Sequence, residues 1–462
     1  MTGSPGLAEA ALHAASGLDG CVAIVTESSE ANLRWARNTL TTTGESRGRD
    51  ITLVGFRETS EGMATATVSL SAPGIADLPP LADALAKALE RAEPAEDSFP
   101  LITGSGGPAA QREDVANTDG SVFRALSRDL GDLFAAALVD GTELFGYAEH
   151  SVQATWLASS AGVRLQHVQP QGRLEITAKS HGRTRSAWWG MATDTFDDVD
   201  LEAARRELSR SLDWQARTLE IPPGRHRTIL TPGAVGDLMV DLWWSATARE
   251  AVEGRSVFSG TGPAGTRLGE QLSSLPLDLV SDPADEVIPA SPFLVSAASS
   301  DHSSAFDSGA ALRRTEWIKD GRLTSLMASR RFAADHDLPF VASPDTVRLE
   351  AGGSGDVADL IAGLDDGLVI TCLWYNRVVD PQTLLLTGLT RDGVLVVRGG
   401  EVVGATGNFR FNDSPVGLLA RIEGAGATRR TLPREMGDYA PRVAMPPLLL
   451  ADFHLSTRSE AR

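Results

Sequence analysis

The spacing of apolar residues changes from helical to alternating at about residue 143, and this change constrains the fold most. Before it, residues 122–138 carry apolar side chains at helical spacing, with Gly141 following as a stop signal. After it, residues 143–191 alternate with a period of two, which predicts antiparallel strands joined by turns. Helices and strands grouped in this way favour the α+β class.

A proline- and glycine-containing stretch, Ile221-Pro-Pro-Gly224, indicates a boundary between two domains. We expect an N-terminal α/β domain over residues 1–222, with helices and a mixed sheet. We expect a C-terminal β-rich domain of antiparallel strands over residues 223–462. A helix over about 233–253 is predicted near the start of the second domain, with Gly254 as its stop.

The charge balance excludes several classes of protein. The chain has 61 acidic and 42 basic residues and a net charge of −19, which argues against a general affinity for nucleic acid or anionic membranes.

No stretch reaches the ~20 apolar residues that span a bilayer, and the N-terminus has no secretory signal pattern. The two cysteines, Cys21 and Cys372, follow or open apolar runs and are expected to be buried free thiols. Together these features predict a cytoplasmic protein.

Local catalytic motifs are absent from the sequence. The eight histidines lie more than ten residues apart, so no H-x-x-x-H or H-E-x-x-H zinc motif exists. The run Asp301-His302-Ser303-Ser304 holds the residue types of a nucleophilic triad, but such groups must converge in space, so a polar loop is the better interpretation. Residues 104–109 loosely match a dinucleotide-binding turn that Pro108 interrupts, which favours a loop.

Several segments, in order and across nearly the whole chain, carry a family resemblance. Residues 31–42 contain an Arg-Trp-Ala-x-Asn pattern. Phe306-Asp307-Ser-Gly309 is similar to a Phe-Asp-Asp-Glu-Gly stretch, but Asp307 is the only acidic residue in it. Further similar segments are residues 144–150, 158–165, 367–371 and 399–402. On these segments the chain resembles the TldD/PmbA (TldD/TldE) metallopeptidase family.

The predicted helix departs from that family at its metal-binding motif. Catalytic members carry His-Glu-x-x-x-His followed by Ala-Leu-Glu-Gly; here the motif falls on Ser245-Ala-Thr-Ala-Arg-Glu-Ala-Val-Glu-Gly254. Ser245 and Ala246 replace the first His and the Glu, Glu250 replaces the second His, and Arg249 precedes it. A hydrolytic zinc site usually needs three protein ligands and one open position for water. The resemblance therefore implies a TldE/PmbA-like member with no catalytic residue and no metal of its own.

The resemblance also implies partners and a substrate. Zinc is expected in a TldD-like partner subunit, with which this chain completes a proteolytic chamber that admits unfolded or small peptides. Candidate substrate or interface residues are Trp243, Trp244 and Asp307. Neighbouring helical residues cannot share a face, so one of the two tryptophans is expected in the core and the other against a neighbour. Arg249 and Glu250 are either solvated charges or, if they line a cavity, contacts for peptide ends.

Three functional hypotheses remain open from the sequence. The first is the non-catalytic subunit of a cytoplasmic metallopeptidase heteromer. The second is a stand-alone peptide-binding or chaperone-like protein without catalysis. The third is an enzyme with a different chemistry at the degenerate site.

Overall fold

The computed structural model describes residues 3–104 and 117–459, so that residues 105–109 of the candidate dinucleotide turn lie outside it. The helices are α1 (Ser4–Ala14), α2 (Leu78–Arg91), α3 (Arg124–Val139), α4 (Leu201–Trp214), α5 (Pro232–Trp244), α6 (Ala248–Val252), α7 (Arg330–His336), α8 (Val357–Ala362) and α9 (Pro415–Leu419). The strands of the first half are β1 (Gly20–Ala36), β2 (Leu40–Thr59), β3 (Gly62–Ser71), β4 (Glu143–Ser159), β5 (Arg164–Ser180) and β6 (Arg185–Thr193). Those of the second half are β7 (Gly224–Leu230), β8 (Asp278–Ser281), β9 (Thr315–Lys319), β10 (Arg322–Leu323), β11 (Val347–Glu350), β12 (Asp366–Asp380), β13 (Leu385–Arg398), β14 (Glu401–Thr406), β15 (Phe409–Asp413), β16 (Ile422–Ala425), β17 (Arg429–Thr431), β18 (Val443–Met445) and β19 (Leu448–Arg458).

The first half forms one six-stranded sheet with the order β3-β2-β1-β4-β5-β6. Its strands pair antiparallel throughout. The predicted mixed sheet is therefore wrong in this detail. The reason is that β1, β2 and β3, and likewise β4, β5 and β6, follow one another through hairpins, whereas a parallel pair needs a long crossover connection.

Successive side chains of β1 point to opposite faces of this sheet. Cys21, Ala23 and Val25 point toward α1 and α2, and further along the strand Leu33 and Trp35 point toward α3. The helices thus cover one face, as the strand period of two requires. The opposite face, with Val22 and Ile24, packs against Phe293 and Phe306 of the second half. Both faces of the sheet are therefore buried along part of its length.

The second half contains two sheets. One has the order β10-β9-β8-β11-β18-β17, and the other has the order β12-β7-β19-β15-β13-β14 with β16 beside β19. Most pairs are antiparallel, as predicted, but β7 pairs parallel with β12, and β11 pairs parallel with β18. The α+β class predicted from the sequence is confirmed.

Helix α5 lies between the two sheets of the second half. It contacts β7 and β12 of one sheet and β17 and β18 of the other. Its side chains are buried nearly all round, including Leu238, Met239 and Leu242. An all-round apolar helix is what a position inside the core demands. Among the described residues no helix has the length and apolar content needed to cross a membrane.

Candidate functional site

The predicted motif helix over about 233–253 is not continuous. Helix α5 ends at Trp244, and α6 begins at Ala248. Between them, the carbonyl of Ala246 accepts from the N–H of Met327 at 2.7 Å, and the N–H of Ala248 donates to the carbonyl of Met327 at 2.8 Å. These strand-like bonds take main-chain groups that a continuous helix would pair internally. The prediction of a single helix is wrong for this reason.

The first two degenerate motif positions have structural roles. Ser245 is the residue after the last turn of α5, and its hydroxyl donates to the carbonyl of Asp241 at 2.8 Å. Ala246 is completely buried in the main core of the second half. A side chain larger than a methyl group at Ala246 has no space without rearrangement of the core.

Arg249 and Glu250 belong to a network of surface charges. The Arg249 guanidinium lies 3.7 Å from Asp301 and 3.8 Å from Glu253, above the ring of Phe332. Glu250 accepts from the hydroxyl of Thr247 at 3.0 Å and lies 3.7 Å from Arg255. Contact of these two residues with peptide ends stays a prediction.

The possible triad residues 301–304 do not form a relay. The Asp301 carboxylate lies 3.7 Å from Arg249 and 3.6 Å from Arg255, rather than holding His302. The Ser304 hydroxyl donates to Asp97 at 2.5 Å. This segment is a polar loop between the two halves.

The adjacent tryptophans differ in environment. Trp243 is buried, and its Nε1 donates to the hydroxyl of Ser343 at 2.8 Å. Trp244 is 36% exposed, with its ring centroid 6.3 Å from that of Trp243. Trp244 is therefore the one of the pair that is available to a neighbour.

Asp307 is buried where the two halves meet. Its carboxylate accepts from Nε of Arg330 at 2.6 Å and from the N–H of Arg330 at 3.1 Å. Arg330 also donates to the carbonyl of Pro100 at 2.8 Å, so the pair joins the segment before residue 104 to the start of α7. Burial raises the pKa of Asp307, and the Arg330 hydrogen bonds oppose that rise. A role of Asp307 toward substrate or partner stays a prediction.

Sequence reasoning missed a cluster of carboxyl groups on α5. Asp237 is completely buried, and its Oδ1 accepts from the N–H groups of Glu435 at 2.9 Å and Met436 at 3.1 Å. Its Oδ2 has no hydrogen-bond partner among the described residues, and the same is true of Oδ2 of Asp241. The signal in the sequence was two aspartates spaced i, i+4 in an otherwise apolar helix, which places them on one face.

Burial controls the protonation of this cluster. Desolvation raises the pKa of Asp237 well above its usual range. Desolvation, followed by the nearby charge of Glu435, raises the pKa of Asp241 to about 7, while Arg377 lowers it in part. Glu435 itself is held by Arg377 at 3.1 Å and by the N–H of Tyr375 at 2.9 Å. The cluster therefore connects α5 to β12 and to the segment before β18.

An exposed apolar surface lies beside this cluster. Four residues of β12 form it, and we call it the β12 patch: Trp374, Tyr375, Val378 and Val379, which are 38%, 55%, 48% and 57% exposed. The turn after β12 comes close to the end of the motif segment, because Gln382 donates to the carbonyl of Gly254 at 3.3 Å. Exposed apolar side chains grouped on one strand are candidates for an interaction surface.

No grouping of three or more His, Cys, Asp or Glu side chains could hold a metal ion within residues 3–104 and 117–459. In the carboxyl cluster of α5, Asp237 accepts from main-chain N–H groups and Glu435 pairs with Arg377. Zinc in a TldD-like partner subunit stays a prediction.

Two family models match the chain. The PmbA/TldA metallopeptidase central domain matches residues 68–215, and the PmbA/TldA metallopeptidase C-terminal domain matches residues 223–457. The chain belongs to the PmbA/TldA metallopeptidase family. No curated protein matches it in a sequence comparison.

Solved structures share the fold of this PmbA/TldA family member at low sequence identity. TldE from Thermococcus kodakarensis superposes with a TM-score of 0.78 at 14% identity, over 96% of this chain and 98% of that one. A candidate modulator of DNA gyrase from Thermotoga maritima gives 0.76 at 14% identity, over 97% and 99%. One from Bacteroides thetaiotaomicron gives 0.75 at 13% identity, over 98% of each chain. At this identity the likeness establishes the fold alone.

Proposed function

We propose that this chain is the TldE/PmbA-like subunit of a cytoplasmic metallopeptidase heteromer. It lacks the zinc ligands and completes the proteolytic chamber of a TldD-like, zinc-bearing partner that acts on unfolded or small peptides. The observation that carries the proposal is the state of the motif segment. Ser245, Ala246 and Glu250 stand at the positions of the metal ligands and the catalytic Glu, and the middle one is a buried methyl group.

The surroundings of the motif support a partner. Trp244 exposes its indole at the end of α5, and the β12 patch exposes indole, phenol and isopropyl groups beside Glu435. An apolar surface of this kind gains free energy when another protein covers it.

Co-expression tests the proposal. The chain is purified alone and together with a TldD-like chain from the same genome that carries His-Glu-x-x-x-His, and zinc and peptidase activity are measured for each. We expect zinc and activity only in the complex, and loss of activity with a chelator. The matched control is a complex in which the partner's first motif His is replaced by Ala. Stoichiometric zinc and peptide hydrolysis by the isolated chain would contradict the proposal and favour a different chemistry at the degenerate site.

A further inference from the structure

A cleft of about 380 Å³ lies between strand β6 and the second half of the chain. Three indoles are among the groups that line it, those of Trp188 and Trp189 on β6 and of Trp214 at the end of α4. Residues 429–432 and the first residues of α5 and α8 also line it. The volume lies within the range of about 300–1,000 Å³ that is typical of ligand-binding pockets.

One row of main-chain groups on β6 points away from its sheet, because β6 is the last strand. Ser186 shows which residues contribute to that row. Its N–H donates to Oε1 of Gln215 at 3.1 Å, and its carbonyl accepts from Nε2 of Gln215 at 2.7 Å. The pairing of β5 with β6 has no register shift, and main-chain direction alternates along an antiparallel strand. Trp188 and Gly190 therefore direct their N–H and carbonyl groups the same way as Ser186.

The outward groups of Trp188 and Gly190 have no hydrogen-bond partner among the residues that the structure describes. Trp188 and Gly190 both line the cleft, so this unpaired edge borders the cavity. The carboxamide of Gln215 carries the same donor and acceptor as a peptide group. At Ser186 this carboxamide makes the two hydrogen bonds that a neighbouring strand would make. The corresponding main-chain groups of Trp188 and Gly190 are available for the same pairing.

The indole of Trp188 lies across Gly190 on the face toward the second half. A Cβ atom at Gly190 would lie 2.3 Å from the ring of Trp188. The glycine thus permits the indole to lie along the strand beside Leu432 and Gly233, where it forms part of the cleft wall. An unpaired strand edge and an aromatic wall occur together in one cavity.

We propose that this cleft binds an extended peptide segment. The main chain of the peptide adds to the edge of β6 at Trp188 and Gly190, and its apolar side chains contact Trp214 and the neighbouring indoles. Main-chain pairing makes the site tolerant of sequence, and the indoles add a preference for apolar side chains. This inference rests on the proposed function for peptide as the substrate class, and it names the part of the chain that holds the peptide.

The test uses the isolated full chain and a labelled peptide, Lys-Thr-Val-Thr-Phe-Thr-Val-Thr-Lys. Binding is followed by fluorescence anisotropy, and amide exchange at Trp188 and Gly190 is followed by NMR. Two further peptides carry N-methyl groups at alternate positions, one at the odd and one at the even residues. We expect slower exchange at Trp188 and Gly190 and about tenfold weaker binding of one N-methylated peptide but not of the other. Binding without slower exchange at these amides, or equal binding of all three peptides, would overturn the inference.

A pair of variants tests the aromatic wall. Trp214→Ala should weaken binding about tenfold, whereas Phe340→Ala, which removes an exposed aromatic ring outside the cleft, should leave it unchanged. Equal effects of the two variants would contradict the proposed contacts. If the complex with the partner is active but the isolated chain binds no peptide, the peptide-binding role of the cleft is wrong and the proposed function stands. If the isolated chain binds peptide but the complex is inactive, the proposed subunit role is wrong and the peptide-binding role of the cleft stands.

Discussion

Asp237 and Asp241 lie one turn apart on α5, with Asp237 buried and Asp241 partly buried, and desolvation together with the nearby charge of Glu435 raises the pKa of both carboxyl groups. One is anchored to the N–H groups of Glu435 and Met436, and each has an oxygen without a partner among the described residues. Desolvation of two carboxyl groups on the same helix face favours their neutral forms. We therefore expect the stability of the fold around α5 to depend on pH.

Replacement of Asp241 by Asn should change stability in a pH-dependent way. The folded pKa of about 7 lies above the ordinary value of 3.8, so the folded state binds the proton more tightly. Stability is then lost as the pH rises from about 4 through 7. Asp241→Asn should raise the free energy of unfolding by roughly 1–3 kcal/mol at pH 8 and change it little at pH 4. Urea unfolding at the two pH values measures this, with the exposed Asp366→Asn as the control; an effect of the same size at both values would contradict it.

The anchor made by Asp237 predicts different effects for two substitutions. Asp237→Asn keeps an oxygen that accepts from the N–H groups of Glu435 and Met436. Asp237→Ala removes this acceptor from both N–H groups. We expect the Ala variant to lose about 2–3 kcal/mol of stability at pH 7 and the Asn variant to lose less than about 1. Thermal unfolding compares them, and equal losses would show that the hydrogen bonds are not the cause.

Restoring the motif residues should have unequal costs. Ala246→Glu places a carboxyl group at a completely buried site in the core and should destabilise the fold by about 3 kcal/mol or more. Ser245→His falls at a half-buried position after α5 and should cost about 1 kcal/mol or less. Denaturant midpoints of the two variants measure the difference. A well-folded Ala246→Glu variant of unchanged stability would contradict the packing described for Ala246.

The β12 patch should be required for assembly. Val378→Asp combined with Val379→Asp places charges on the exposed surface, and we expect loss of co-purification with the TldD-like chain while the isolated chain stays folded. Val139→Asp is the matched control, since Val139 is 88% exposed on α3, away from the patch. Size-exclusion chromatography of the co-expressed pair and circular dichroism of the isolated variants provide the readouts. Retention of the complex by the double variant would exclude this surface as the interface.

Mild acid should weaken the first half of the chain through His150. Its ring is buried between the hydroxyl of Thr118 and the carbonyl of Asp194, each at 2.7 Å, and burial lowers its pKa from the ordinary value of 6.5. The unfolded chain therefore binds the proton more readily, so stability is present above pH 6.5 and is lost as the pH falls below it. His150→Gln should reduce the change in stability between pH 7 and pH 5.5. Tryptophan fluorescence during urea unfolding measures it, and an unchanged pH dependence would contradict the role of His150.

Periodicity was a sufficient guide where a regular element buries one face and leaves the other face less buried. The helix at Arg124–Val139 and the strands at Glu143–Ser159 and Arg164–Ser180 match the predicted regions, because apolar spacing at 3.6 or 2 follows from local geometry. The family also followed from the sequence, since the order of its segments is a property of the chain itself.

The break at Ser245–Thr247 could not be read in the same way. Residues 233–253 have the composition of one helix, and Met327, more than seventy positions later, interrupts it. The acid cluster depends likewise on Glu435 and Arg377, which the sequence keeps far from Asp241. Desolvation and charge act through distance in space, which the linear spacing of residues does not report.

By itself, therefore, the sequence determined the class of fold, the family and the loss of imidazole from the motif, because each is written in local patterns of residues. Only the tertiary structure decided that Ala246 has no room for a carboxylate, that α5 carries two acids with raised pKa values, and that the edge of β6 borders a cleft. These three features depend on segments that are far apart in the sequence and that exclude water from the same atoms in the folded protein.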